Sequence, residues 1–141
     1  MKKHGTKFEY EAERNRDLMR VYRQVISEHD HISMPHVYKE VVNRPAERFW
    51  VSEERAAIVI SSLLKGRKLT SMRKCKRDMF REIFRRAKAL LKQDPDLTPK
   101  ELAFIVVAQP APKFYITPGS CKIIICSIKK CLRKQKQQHS S

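Results

Sequence analysis

Six cationic side chains, Lys74, Arg77, Arg81, Arg85, Lys88 and Lys92, recur at steps of three or four residues. On a helix that spacing gathers them into one stripe. Like charges so placed repel one another, costing about 0.2–0.5 kcal/mol per pair in an isolated helix. A stripe kept against that repulsion suits the phosphate backbone of a nucleic acid. Two other readings are a merely solvated face and a helix lying on a membrane surface. The membrane reading is the weaker, because Met79, Phe80, Ile83 and Phe84 lie away from the stripe and are needed for a core.

Two further groups carry recognition chemistry. Arg48-Phe49-Trp50 and Lys113-Phe114-Tyr115 each set a cation beside two aromatic rings. Rings and cations on a loop can stack bases and hold phosphates, or one ring of each pair can plug the core. Phe49 and Phe114 are expected to be buried; Trp50 and Tyr115 are left open between the two roles. Toward the C-terminus Lys122, Lys129, Lys130 and Arg133 add cations that extend a nucleic-acid surface.

Metal and catalytic chemistry find little support. Cys121, Cys126 and Cys131 are spaced by five, so they do not share a helical face, and no CxxC occurs. The histidines lack ligand spacing; His29 and His31, flanking Asp30, are the nearest approach to it. Cysteine here reads as a small apolar residue. Glu53-Glu54 read as helix-capping acids, and no Ser/His/Asp or Cys/His set stands out. No metal, cofactor or enzymatic activity is expected.

Composition narrows the partners. The 141 residues include 31 Lys and Arg against 15 Asp and Glu, a net charge of +16. Solubility is ordinarily reached with a net charge of about 2–8, so this excess points to a polyanion. It is also concentrated: residues 65–92 hold 12 basic and 2 acidic side chains. Only three glycines occur, so neither GxGxxG nor a P-loop can be written, which excludes the common nucleotide-dependent enzymes. No stretch approaches the roughly 20 apolar residues of a membrane span, and residues 1–10 carry no apolar run of a secretory signal. A cytoplasmic location with reduced thiols and no membrane partner is expected.

The elements that must position these residues come from a duplication. An offset of 65 residues carries Val41–Ser52 onto Val106–Thr117, and nine of the 25 positions from Val41 to Lys65 are identical. Upstream, Leu18, Met19, Val25 and Ile26 fall on Ile83, Phe84, Leu90 and Leu91. Each copy reads as three helices. In the first copy these are a helix near 10–28, a short one capped by Ser33, and a third near 53–65 opened by Ser52 and closed by Gly66. In the second, a helix near 70–93 precedes one opened by Thr98-Pro99-Lys100-Glu101 and another near 118–133. Pro45 and Pro110 end the middle helices. The expected architecture is all-α: two tandem three-helix, helix-turn-helix-like repeats, 10–66 and 67–133, packed into one domain, with a flexible arm at 1–9 and a disordered basic and polar tail at 134–141.

The second helix, proline loop and capped third helix resemble a helix-turn-helix, though the connection exceeds the usual 3–4 residues. That resemblance implies major-groove contact near the start of the third helix, for which the second copy, with Lys122, Lys129 and Lys130, is better suited than the acidic Glu53-Glu54. Through Pro45–Ser52 and Pro110–Thr117 the chain resembles small basic proteins of Bacteroidales phages and mobile elements. The reading is a non-enzymatic DNA-binding regulator or accessory factor. An RNA-binding subunit of a ribonucleoprotein or reverse-transcriptase complex is one alternative, and a basic assembly protein with a protein partner or a second copy is another.

Overall fold

In the computed structural model the backbone of residues 3–139 and the side chains of residues 10–137 are described. Among the described residues there are six helices: α1 (Lys3–Glu28), α2 (Met34–Val42), α3 (Glu53–Leu64), α4 (Lys74–Gln93), α5 (Pro99–Val107) and α6 (Pro118–His139). The fold is all-helical; among the described residues the single β feature is an isolated antiparallel bridge between Ala46 and Ala111. None of these helices is long and apolar enough to cross a membrane. α1 reaches back to Lys3 and α6 runs on to His139, where an arm and a tail were expected from composition. Residues 1, 2, 140 and 141 of those segments lie outside the described residues.

The offset of 65 holds in local structure. It carries both ends of α2 onto those of α5, the start of α3 onto that of α6, and the end of α1 onto that of α4. The packing, however, does not follow the two consecutive halves. One compact unit, Pro45–Tyr115, is made of α3, α4 and α5; the other is made of α1 and α2 with α6. Each copy's third helix thus packs on the first two helices of the other copy. The connector explains why. Pro45 ends the run after α2, and Ala46 then exchanges hydrogen bonds of 2.9 and 3.1 Å with Ala111, its repeat equivalent. Three residues on, Phe49 N–H donates to the Val107 carbonyl at 3.1 Å. The backbone needs of the extended segment are met by the second copy, and α3 is delivered there.

In the unit 45–115, α3 buries Ala56, Val59 and Ile60, α4 buries Met79, Phe80, Ile83 and Ala87, and α5 buries Leu102, Ala103, Val106 and Val107. These are the three-and-four spacings of apolar helical faces. Phe49 and Phe114 are buried as expected, while Trp50 and Tyr115 are half-buried. Arg86 staples the same unit. Its guanidinium donates to Glu82 at 2.7 Å, to the Gln109 side chain at 3.2 Å and to the Pro110 carbonyl at 2.9 Å, and stands 4.9 Å from the centre of the Phe49 ring. Thr98 and Glu101 form the full capping box of α5.

In the unit of α1, α2 and α6, Leu18, Val21, Tyr22 and Val25 meet Val37, Tyr38, Val41, Val42, Cys121 and Ile125 in the core. The rings of Tyr22 and Tyr38 stack at 6.4 Å. Burial pushes the Tyr38 phenol and the Cys121 thiol each up to about 12, so Cys121 behaves as a small apolar group. The corner between α1 and α2 is held by Arg44, which donates to Glu28 at 3.0 and 2.5 Å and also to Glu40. Ser33 precedes α2 but does not cap it through its side chain; its hydroxyl lies 2.6 Å from His36 Nδ1.

The end of α3 sets the course of the segment behind it. Gly66 has φ of 88°, its N–H donates to the Leu63 carbonyl at 3.0 Å, and Arg67 N–H donates to the Ser62 carbonyl at 3.2 Å. This pair of bonds is a Schellman closure, and it turns residues 67–70 back toward α4. An added Cβ at Gly66 would meet nothing within 4 Å, so Gly66→Ala should cost only backbone strain. The expected loss is about 1–2 kcal/mol, read as a lower urea midpoint with an unchanged m-value. An unchanged midpoint would mean that glycine is not what closes this helix.

Candidate nucleic-acid interface

One cation-rich surface feature lies within the unit 45–115. A cleft of about 500 Å³ opens between the segment that follows α3 and one face of α4. Arg67 and Lys68 line it from the segment, and Arg77, Arg81, Arg85 and Lys88 from α4. Leu63, Leu69, Thr70 and Phe84 complete the lining, and among the described residues no carboxylate contributes to it.

The helical step places the α4 cations. Arg77, Arg81, Arg85 and Lys88 follow one another by about one turn, while Met79, Phe80, Ile83 and Ala87 turn inward; Phe84, expected on the buried face, is only half-buried and lines the cleft among the cations. The two acidic residues of α4 partly neutralise the stripe. Lys74 reaches Asp78 at 3.0 Å, and Arg85 grips Glu82 through bonds of 3.0 and 2.6 Å. The Lys74 ammonium holds the Asp78 carboxyl below its ordinary range, as Arg85 and, less strongly, Arg86 do for Glu82, against the opposing effect of burial. Arg81 lies 3.8 Å from Asp78 with its side chain 68% exposed, a contact too loose to hold it. Arg77 Nε is shielded from solvent and has no hydrogen-bond partner among the described residues. Lys88 is exposed and stands 5.0 Å from the centre of the Phe84 ring.

Four of the six stripe residues therefore converge on the cleft. Lys74 is committed to Asp78, and Lys92, exposed near the end of α4, lies outside the lining. Arg67 and Lys68 join the cleft although their spacing carries no helical signal; the positive φ of Gly66 brings them there.

The remaining candidates lie outside the cleft lining. Arg48 lies over the Trp50 ring at 5.2 Å and donates to the carbonyls of Phe49 at 3.1 Å and Val51 at 3.0 Å, so it fastens the connector. Lys113 sits over Tyr115, whose ring stacks on Phe49 at 6.1 Å. Tyr115 holds φ of 59° and its phenol is pushed up by burial, so it reads as part of the packing. Lys122, Lys129, Lys130 and Arg133 belong to α6, in the other unit. Lys129 is half-buried and donates to the Tyr22 hydroxyl at 2.5 Å; Lys122, Lys130 and Arg133 are exposed.

His29 pairs with neither Asp30 nor His31 but approaches Glu40 at 3.3 Å. Glu28, His29 and Glu40 bring ligand atoms within 4.8 Å of one another. Arg44 already bridges both carboxylates, filling with a guanidinium the place a metal would need. Cys75, Cys121, Cys126 and Cys131 are all free thiols.

Fold and site together define an all-helical protein with a cation-lined cleft on one of its two units. No protein-family model, curated protein or solved structure matches the chain.

Proposed function

We propose that this protein binds nucleic acid without catalysing a reaction on it, and that it acts on DNA as a regulatory or accessory factor, the setting that the resemblance to mobile-element proteins implies. One observation carries the reading: six cationic side chains from two segments converge on a cleft that no carboxylate lines among the described residues, and of the six only Arg85 is gripped by a carboxylate, Glu82, from outside the lining. Holding so many like charges together costs free energy that a polyanion relieves by displacing condensed counterions. Contact through a helix-turn-helix is not part of this reading. α2 and α3 are consecutive in sequence but lie in different units, as do α5 and α6.

Titration of labelled duplex DNA and structured RNA across a salt series tests it. If the cleft engages about four phosphates, the logarithm of affinity should fall against the logarithm of salt with a slope of about −3 to −4. Reversing two exposed cleft cations, Arg81→Glu with Lys88→Glu, should weaken binding about 10- to 100-fold and flatten that slope by about 2, with an unaltered thermal melt. Preference for RNA would move the function to a ribonucleoprotein. Absence of binding to either polymer at low salt would sink the reading and favour an assembly role.

A further inference from the structure

We infer that the cleft is built for an unpaired nucleotide, holding a single strand by its phosphates and by one base laid against Phe84; this rests on the proposed nucleic-acid binding and narrows it. Phosphate binding alone does not account for the lining. Leu63, Leu69 and Phe84 contribute apolar surface among the cations, and apolar groups gain nothing from a phosphate. They do gain from the face of a base.

Shape favours the same ligand. A duplex presents its phosphates on a convex cylinder and keeps its bases stacked inside, so it would ride across the mouth of a concave site and leave the apolar part unused. A flexible single strand can enter. The volume of about 500 Å³ falls within the range of about 300–1,000 Å³ typical of small-molecule sites. Arg77 also lines the cleft, and its solvent-shielded Nε donates to nothing among the described residues, so the side chain gains an acceptor if it shifts toward a phosphate drawn into the cleft. Lys88 rests over the Phe84 ring at 5.0 Å yet is exposed. Its ammonium can swing from ring to phosphate, which uncovers the ring as the strand arrives.

The test compares four labelled probes on the full-length protein in low salt: a 15-residue oligothymidylate, the same strand made abasic, a duplex of equal length, and polyglutamate. The single strand should bind about 10-fold tighter than its abasic counterpart and tighter than the duplex. Phe84→Leu, which keeps an apolar side chain at this half-buried position, should bring the ratio of based to abasic affinity close to one. Arg67→Ala should weaken both strands alike. A matching oligouridylate decides between DNA and RNA as the source of the strand, and either preference upholds the inference. Equal binding of based and abasic strands, tighter binding of duplex, or a ratio that survives Phe84→Leu would overturn it while leaving nucleic-acid binding intact. Polyglutamate binding as well as the strand would mark a general anion site, which also overturns it. Failure of every probe would bring down the inference and the proposed function together.

Discussion

A chain cut to residues 45–115 should retain a cooperative thermal transition by circular dichroism, whereas a chain cut to 1–66, the first sequence repeat, should lose it. The first fragment keeps α3, α4 and α5 with every packing partner they have among one another. It also keeps the Ala46–Ala111 bridge, the Phe49–Val107 bond and all the contacts of Arg86. At about 70 residues it is small enough that stability is marginal, so its midpoint should lie below that of the whole chain. The second fragment keeps α1 and α2 but loses Cys121 and Ile125 of α6, which close their core, and it strands the buried Ala56, Val59 and Ile60 of α3 without α4 or α5. Ala56 and Ile60 are the repeat equivalents of Cys121 and Ile125, so α3 is the only helix of this fragment that could take the place of α6, but nothing in the fragment fixes it there. The connector that carries it to its present partners would have no second copy to bond. Cooperative melting of 1–66 equal to that of 45–115 would show that consecutive halves are the folding units after all.

That ambiguity also marks where the sequence stops being informative. Helix identity was legible because apolar spacing, Pro45, Pro110 and the hydroxyl caps act within a few residues: Ser52 does accept the Arg55 N–H at 3.0 Å, and Thr117 the Ser120 N–H at 3.0 Å. Burial of Phe49 and Phe114 followed from their repetition. Exchange of the third helices was not legible, because a duplicated sequence offers each third helix two equivalent beds. Burial patterns along the helices are the same in either arrangement. The choice falls to hydrogen bonds between residues 46 and 111 and between 49 and 107, which no local pattern encodes.

The cleft was half legible for the same reason. Arg77, Arg81, Arg85 and Lys88 share a face by the helical period alone. The carboxylates that occupy Lys74 and Arg85 stand four residues after the one and three before the other, a spacing open to inspection. Arg67 and Lys68 depend instead on a left-handed glycine and the loop it directs. Lys129 has the spacing of a phosphate ligand, but a tyrosine 107 residues earlier in the chain holds it.

Phe49 is where the exchanged arrangement is most exposed to a single substitution, and Phe49→Ala should cost about 3–5 kcal/mol. The ring is fully buried, stacks on Tyr115 at 6.1 Å and lies under the Arg86 guanidinium at 4.9 Å. Truncation removes a large apolar group at the point where the connector enters the second copy, and α3, α4 and α5 are held by their helical spans and cannot collapse fully into the space. The melting midpoint should fall by roughly 10 °C or more. Phe49→Leu separates the contributions. It keeps most of the volume but loses the cation–π contact, worth about 0.5–2 kcal/mol, and the ring stacking, worth about 0.5–1.5 kcal/mol, so its cost should be about half that of alanine. Trp50→Ala, at the half-buried neighbouring position, should cost less than either. If Trp50→Ala proves the more damaging, the connector is anchored by the Arg48–Trp50 pair and not by Phe49, and burial of the Phe49 ring is not what delivers α3 to the second copy.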